Sequence, residues 1–272
     1  MRIALLNNRY FMVGGTTRYL FNVERLLRDA GHEVVPFSNR YPETVDTPFV
    51  DGFVDPPGDP NAAFFQDARL SLGAKWSLFV RGAYSPGVKR AFGRLLDQHA
   101  IDLAYSINIC NFLGPSVIDA AVDRSIPFVT RSSDFNLVCP AYNCLREGRA
   151  CEDCSRGLVH AVRHRCLQNS VAVSSARVAA MWVHRATGVY GRVSGMVTPT
   201  AFLRGRLVSA GFDEGKITHV PTFVDLRRFV PGRDTASREI VYAGRVSAEK
   251  GVDTLVEAMG RLQGAEDVRL VV

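Results

Sequence analysis

The pattern of apolar and polar positions alternates between two periods along most of the chain. RIALLNN is a short apolar run broken at Gly14-Gly15, and after it Tyr19, Leu20, Val23, Leu26, Leu27 and Ala30 recur at helical spacing. Thr16 or Thr17 is placed to cap that helix, Gly31 stands where a C-terminal cap belongs, and HEVVPF is the next strand. A βαβ opening follows. From Tyr41 to Pro60 prolines, aspartates and two glycines predict loop with short extended pieces.

The alternation then resumes. A helix around Gly87–His99 leads to the strand DLAYSI, and one around Pro115–Arg124 leads to IPFVTRS. A helix around Ser170–Arg185 leads to GMVTP, and one capped by Thr200 and closed by Gly211 leads to KITHVP. Strands alternating with helices predict an α/β domain with a mostly parallel sheet over residues 1–221. Residues 222–238 carry no sustained period and hold Pro231 and Gly232, which reads as an interdomain connection. From 239 a second domain begins. EIVYAGR is a strand, Ala248–Leu262 is a helix with Val252, Leu255, Val256 and Met259 on one face, and VRLVV is a second strand. One strand, helix and strand leave an apolar face uncovered, so this domain is expected to be incomplete.

Composition narrows the function classes. With 272 residues and 47% hydrophobic positions the chain can bury a sizeable core. No apolar run approaches the roughly 18 residues of a membrane span, and the first strand is too short to be a signal peptide, so a cytoplasmic location is expected. The net charge of +6 suits a phosphorylated substrate or an anionic membrane surface. Basic residues are dispersed without interleaved aromatics, which argues against nucleic acid as a partner.

Gly14-Gly15-Thr16-Thr17 has the make-up of a phosphate site, because free N–H groups at a helix start point at an anion and glycine leaves room for it. A tight turn that needs positive φ explains the same two glycines. The segment is neither G-x-G-x-x-G nor a P-loop, so a nicotinamide-dependent oxidoreductase loses its fingerprint.

Three segments together resemble the family 4 glycosyltransferases, retaining enzymes of the GT-B fold in which two Rossmann-like domains face each other. They are the first strand with Gly14-Gly15 and its helix, the junction HVPTFVDLRRFVPG, and YAGRVSAEKGVDTLVEAM, similar to the donor-domain signature. The resemblance implies an acceptor-binding first domain, a nucleotide-sugar-binding second domain beginning at 239, and Arg245 and Lys250 as the basic pair on the donor diphosphate, with Gly14 and Gly15 also on the donor side. Such a pair is chemically apt: negative charge develops on the departing diphosphate, and a fixed guanidinium and ammonium stabilise it without a catalytic metal. The family's downstream paired glutamates have no counterpart before Val272, so this chain alone is expected to be inactive. Where many relatives carry a histidine, this chain reads Ser133-Asp134-Phe135-Asn136, which leaves Asp134 as the candidate catalytic residue orienting an acceptor hydroxyl.

Five of the six cysteines fall between 139 and 166, spaced C-x4-C-x6-C-x2-C-x11-C. A C-x2-C knuckle with two flanking thiolates makes a tetrahedral structural zinc site, and reduced cysteines packing as small hydrophobes make the alternative. The stretch also resembles a cysteine-rich insertion in a subset of these transferases. Matched residue by residue, its ligands are Cys139, Cys151, Cys154 and Cys166, with Cys144 surplus and His160 and His164 near enough to compete. The reading is a retaining hexosyl- or pentosyltransferase of cell-surface polysaccharide or glycolipid assembly. It uses a UDP- or GDP-sugar and a saccharide or lipid-linked acceptor, and works peripherally at the inner face of the membrane. The rival from another class is a noncatalytic zinc-bearing Rossmann-like module.

Overall fold

The computed structural model describes residues 1–57, 72–230, 232, 238–247, 250–262 and 267–272; Gly58, Pro60, Pro231 and Ala248 lie outside them. These residues form two units, Met1–Cys144 with Cys151–Thr222, and Leu145–Ala150 with Phe223–Val272. In chain order the elements are β1 (Arg2–Asn7), α1 (Gly15–Asp29), β2 (Glu33–Phe37), α2 (Leu72–Ala83), α3 (Pro86–His99) and β3 (Leu103–Asn108). Next come α4 (Ser116–Val122), β4 (Phe128–Arg131), β5 (Leu145–Arg146), β6 (Arg149–Ala150), α5 (Val159–Arg163) and α6 (Val171–Thr187). The last are β7 (Gly195–Thr198), α7 (Ala201–Ser209), β8 (Ile217–His219), β9 (Glu239–Val241), α8 (Val252–Gly260) and β10 (Arg269–Val271).

The first unit is the predicted α/β domain. Its six strands run β2-β1-β3-β4-β7-β8, and every pairing is parallel. β1 is buried from Ile3 to Asn7, as expected of a strand with both faces covered. Ala4 and Leu6 join Phe37 of β2, Phe92 and Leu96 of α3 and Ile118 of α4 in one core cluster. The crossover through α1 runs from β1 to β2, and those through α3 and α4 run the other way. Right-handed connections therefore put α1 on the opposite face from α3 and α4. On the α1 face the Tyr19 and Tyr105 hydroxyls lie 3.4 Å apart, and the Arg131 guanidinium sits 3.8 Å from the centre of the Tyr19 ring.

The helix start predicted from its capping residue is present at Thr200, whose hydroxyl accepts the Leu203 amide, and the Ser170 hydroxyl caps α6 in the same way, accepting the Val173 amide. α1 departs from expectation. Gly14 occupies the cap position, Gly15 is the first helical residue, and Thr17 lies a turn inside, its hydroxyl accepting the Val13 and Gly14 amides. Leu26 and Ala30 are exposed rather than on the inward face. Glu24 is buried instead, because the Tyr10 hydroxyl donates to its carboxylate at 2.9 Å and Arg28 pairs with it at 2.8 Å. Gly31, at φ 81°, ends the helix as predicted, its amide bonded to the Arg28 carbonyl.

Between the loop read at Tyr41–Pro60 and the helix read from Gly87, where sequence reading placed no element, α2 forms and packs on α6. One contact is His184, whose Nε2 lies 2.7 Å from the Gly82 carbonyl and 3.1 Å from that of Ala83, so it carries the proton and donates. Burial pulls this imidazole down to about 4 from its ordinary 6.5, against the opposing pull of the Gly82 bond. The unfolded chain therefore binds the proton more readily between those two values. The stability held by neutral His184 is complete above about pH 6.5 and is lost as pH falls to about 4, amounting to roughly 2 to 3 kcal/mol. Urea titrations across that range should show this acid limb, and His184→Gln should flatten it; an unchanged limb would refute the assignment.

In the second unit β5 and β6 form a two-stranded antiparallel hairpin, and β9 and β10 pair in parallel. Val252 of α8 is buried, Leu255 and Met259 are half-buried, and Val256 is exposed. Asp225 organises the connecting segment: its carboxylate accepts the Arg227 amide and its carbonyl accepts those of Arg228 and Phe229. Among the described residues no helix is long and apolar enough to cross a membrane.

Candidate functional site

In a sheet whose crossovers diverge, the strand ends on either side of the divergence open a crevice. Here that point lies between β1 and β3, and a cavity of about 390 Å³ occupies it. Its walls are the residues just after β1 (Asn8 and Arg9), the start of α1 from Gly14 to Thr17, the β3 end from Asn108 to Phe112, and Asp134, Asn136 and Arg177. Gly14, Gly15 and Asp134 thus line one cavity.

The two glycines are not there for backbone reasons. Gly14 has φ 179°, ordinary extended backbone, and Gly15 is helical. That overturns the positive-φ turn suggested by the sequence. A Cβ at either position would meet no atom within 4 Å, so what glycine keeps open there is the cavity itself. Gly14 has no side chain to cap α1, and the Thr17 hydroxyl takes the Gly14 amide, so Gly15 to Thr17 line the cavity at the positive end of the helix dipole.

Asp134 is held by a short turn beyond β4. Its Oδ1 accepts the Asn136 amide at 2.9 Å and also the Asn136 side-chain amide. The Asn136 carbonyl accepts from Arg177 at 2.9 Å, and Arg177 also donates to Asn111 at 3.1 Å. Burial raises the Asp134 carboxyl above the usual range, while bonds from Asn136 and the charge of Arg177 pull it back. The Cys110 thiol, 2.9 Å from Asn136 Oδ1, is pushed up to about 12 by burial, so it stays protonated and acts as a donor, not a nucleophile. Asn8 ties β1 to β3, its side-chain amide donating to Asn108 Oδ1 at 3.0 Å and to the Cys110 carbonyl at 2.9 Å.

With Arg9, Arg177 and the α1 amides against one carboxylate, the cavity can take an anion at the helix start while Asp134 accepts a hydroxyl proton nearby. Sequence reading left Asn8, Asn108 and Arg177 unassigned. A trace of them was present in the asparagines that close β1 and β3, since polar side chains ending apolar strands have few structural uses.

Arg245 and Lys250 belong to the second unit. Both are exposed; Tyr242 donates to the Arg245 carbonyl at 2.7 Å, and the Lys250 amide closes a turn on the Ser247 carbonyl at 2.9 Å. Arg245 follows β9 and Lys250 precedes α8.

The cysteines lie in mutual electrostatic reach. Cys139 is drawn down to about 6, first by the Cys144 thiol and then by backbone amides of its own turn. Cys154 is pushed up to about 12 by burial and by the charges of Cys139, Cys166 and Cys151. A divalent cation relieves such repulsion, so the donor set is chemically suited to zinc. Among the described residues, however, the group of three or more potential ligands whose donor atoms all lie within 4.8 Å of one another is Asp153, His160 and His164.

No protein-family model matches this chain, and no curated protein matches it. Solved structures do. Anabaena HepE in complex with UDP and glucose superposes with a TM-score of 0.51 at 12% identity, over 97% of this chain and 59% of HepE. The lipopolysaccharide outer core galactosyltransferase WaaB, in its apo form, gives 0.51 at 12% identity, over 97% of this chain and 58% of WaaB. The chain spans less than two thirds of either. Its α/β architecture, a parallel Rossmann-like unit followed by a second strand–helix–strand unit, is that of the GT-B fold.

Proposed function

We propose that the protein is a retaining glycosyltransferase that moves a sugar from a UDP- or GDP-linked donor to a saccharide or lipid-linked acceptor in cell-surface polysaccharide or glycolipid assembly. The observation that carries this is the cavity at the β1/β3 divergence, which a helix start with glycine at its cap position, a second open glycine and a positioned carboxylate line together. In this reading the cavity takes the acceptor with Asp134 against its hydroxyl. Gly14 and Gly15 admit the donor diphosphate, which Arg245 and Lys250 neutralise in place of a catalytic metal. HepE was solved with UDP bound and WaaB is a galactosyltransferase, which supports the donor class. Work at the inner face of the membrane agrees with the net charge of +6. A zinc ion held by Cys139, Cys151, Cys154 and Cys166 would brace the loop that follows Asp134, a structural role.

Calorimetric titration of the protein made from its complete reading frame with UDP, GDP and NAD tests the reading. UDP or GDP should bind and NAD should not. Gly15→Val should weaken the nucleotide by at least about tenfold, because its side chain fills the approach to the α1 amides, while leaving thermal stability within about 1 kcal/mol. Nucleotide binding that ignores this substitution would move the donor elsewhere, and binding of NAD alone would end the proposal.

A further inference from the structure

The structure assigns a second metal site, independent of the cysteines and of the transferase reading: Asp153, His160 and His164 bind a divalent transition cation of the zinc type. His160 lies on α5 and His164, four residues on, is the residue that caps its C-terminal end, so their rings stand side by side, 6.4 Å between centroids and 10° from parallel. His164 Nε2 lies 3.9 Å from Asp153 Oδ2, and one donor atom from each residue falls within 4.8 Å of the others. A tetrahedron with bonds of 2.0–2.1 Å has edges of roughly 3.3 Å, so these side chains, Asp153 and His160 half-buried and His164 exposed, need close by up to about 1.5 Å.

The scaffold beneath them is fixed. Leu158 and Ala161, on the inner side of α5, are fully buried against Val178 and Met181 of α6. This turns the two imidazoles outward. Asp153 opens a 3-10 turn whose Ser155 amide and hydroxyl both bond the Glu152 carbonyl, and Glu152 is pinned by Arg206 at 2.7 Å. Two imidazoles and one carboxylate suit zinc, nickel or copper more than calcium or magnesium, and they leave a fourth position for water. A cation here ties the turn at 153 to His160 and His164, within the second half of the cysteine-bearing insertion. It uses none of the five thiols there.

Cobalt(II) replaces zinc and reports its ligands, since thiolate ligation gives an intense charge-transfer band in the near ultraviolet that nitrogen and oxygen ligands do not. Untagged, reduced protein should bind a cobalt ion without that band, and the binding should persist in a Cys151→Ser, Cys154→Ser double variant. His160→Ala and His164→Ala should each weaken it by at least about tenfold, since even outer-shell changes cost roughly 10–100-fold. Both histidines sit on the outer side of α5, so circular dichroism should stay native, and His164→Asn provides a second variant of conserved polarity. A thiolate-ligated cobalt found in addition and removed by the cysteine variant supports the site so long as the band-free ion depends on the histidines. Cobalt bound solely with the charge-transfer band, or no cobalt bound by folded protein, would overturn the assignment.

Discussion

Replacing Gly114 by alanine is expected to lower the unfolding free energy by about 2 to 5 kcal/mol, a large part of the 5–15 kcal/mol that domains of this kind possess. Gly114 leads into α4 at φ 72°, in the left-handed region where a Cβ costs roughly 1–2 kcal/mol. Its Cβ would also stand 2.0 Å from the carbonyl oxygen of Arg81, a backbone atom of α2 that no rotamer change can move. Relief requires α2 to shift, and α2 is held to α6 through His184, so the overpacking adds about 1–3 kcal/mol more. Gly205, inside α7, has open space around it, and alanine there should be neutral or stabilise by about 0.5–1 kcal/mol. Urea denaturation of the two variants decides the matter. Equal effects would mean that helix propensity, not the α2 contact, governs both positions.

Arg245→Ala and Lys250→Ala, in protein made from the complete reading frame, are each expected to lower kcat by about 10²–10³ with a smaller change in KM. Breaking a sugar–diphosphate bond puts negative charge on the departing oxygen late in the reaction, so groups that meet that charge act on the transition state more than on bound donor. In the proposed role a guanidinium at 245 offers two parallel N–H donors to phosphate oxygens where an ammonium offers a point charge, so Arg245→Lys should recover only part of the loss. Both side chains are exposed on a loop, and neither change should unfold the protein. A loss confined to KM would make the pair a docking contact, and losses under tenfold in both parameters would sink its proposed role.

Much of the fold could be read from periodicity, because a parallel sheet buries its strands completely and its helices on one side. RIALLNN, HEVVPF and the helix at Pro86–His99 stand almost where their patterns put them. α1 shows the limit. Counting apolar residues placed Leu26 on the inward face, whereas a distant tyrosine gives Glu24 a partner and lets a carboxylate take the buried place. α2 was hidden because it packs chiefly on α6, so its pattern is not that of a helix covering the sheet. The cavity was half legible: Gly14, Gly15 and Asp134 stand out locally, but Asn8, Asn108 and Arg177 acquire meaning only when the chain brings them together. Of the ligands proposed beside the C-x2-C knuckle, His160 and His164 were noted in the sequence as competitors, while Asp153 was eclipsed by the cysteines, whose spacing is the louder signal.

The strand order also governs how the chain fares while it is being made. β1 lies inside the sheet, with β2 on one side and β3 on the other, yet Ile3 pairs with Val34 and with Leu103. At about 5–20 residues per second, the ribosome needs several seconds between completing β2 and delivering β3. Through that interval a nascent β1–β2 pair has one long, apolar, unpaired edge. Such edges recruit other chains, so crowding of nascent copies on one message should favour aggregates seeded by the first forty residues, and a chaperone that shields an extended segment should raise the soluble yield.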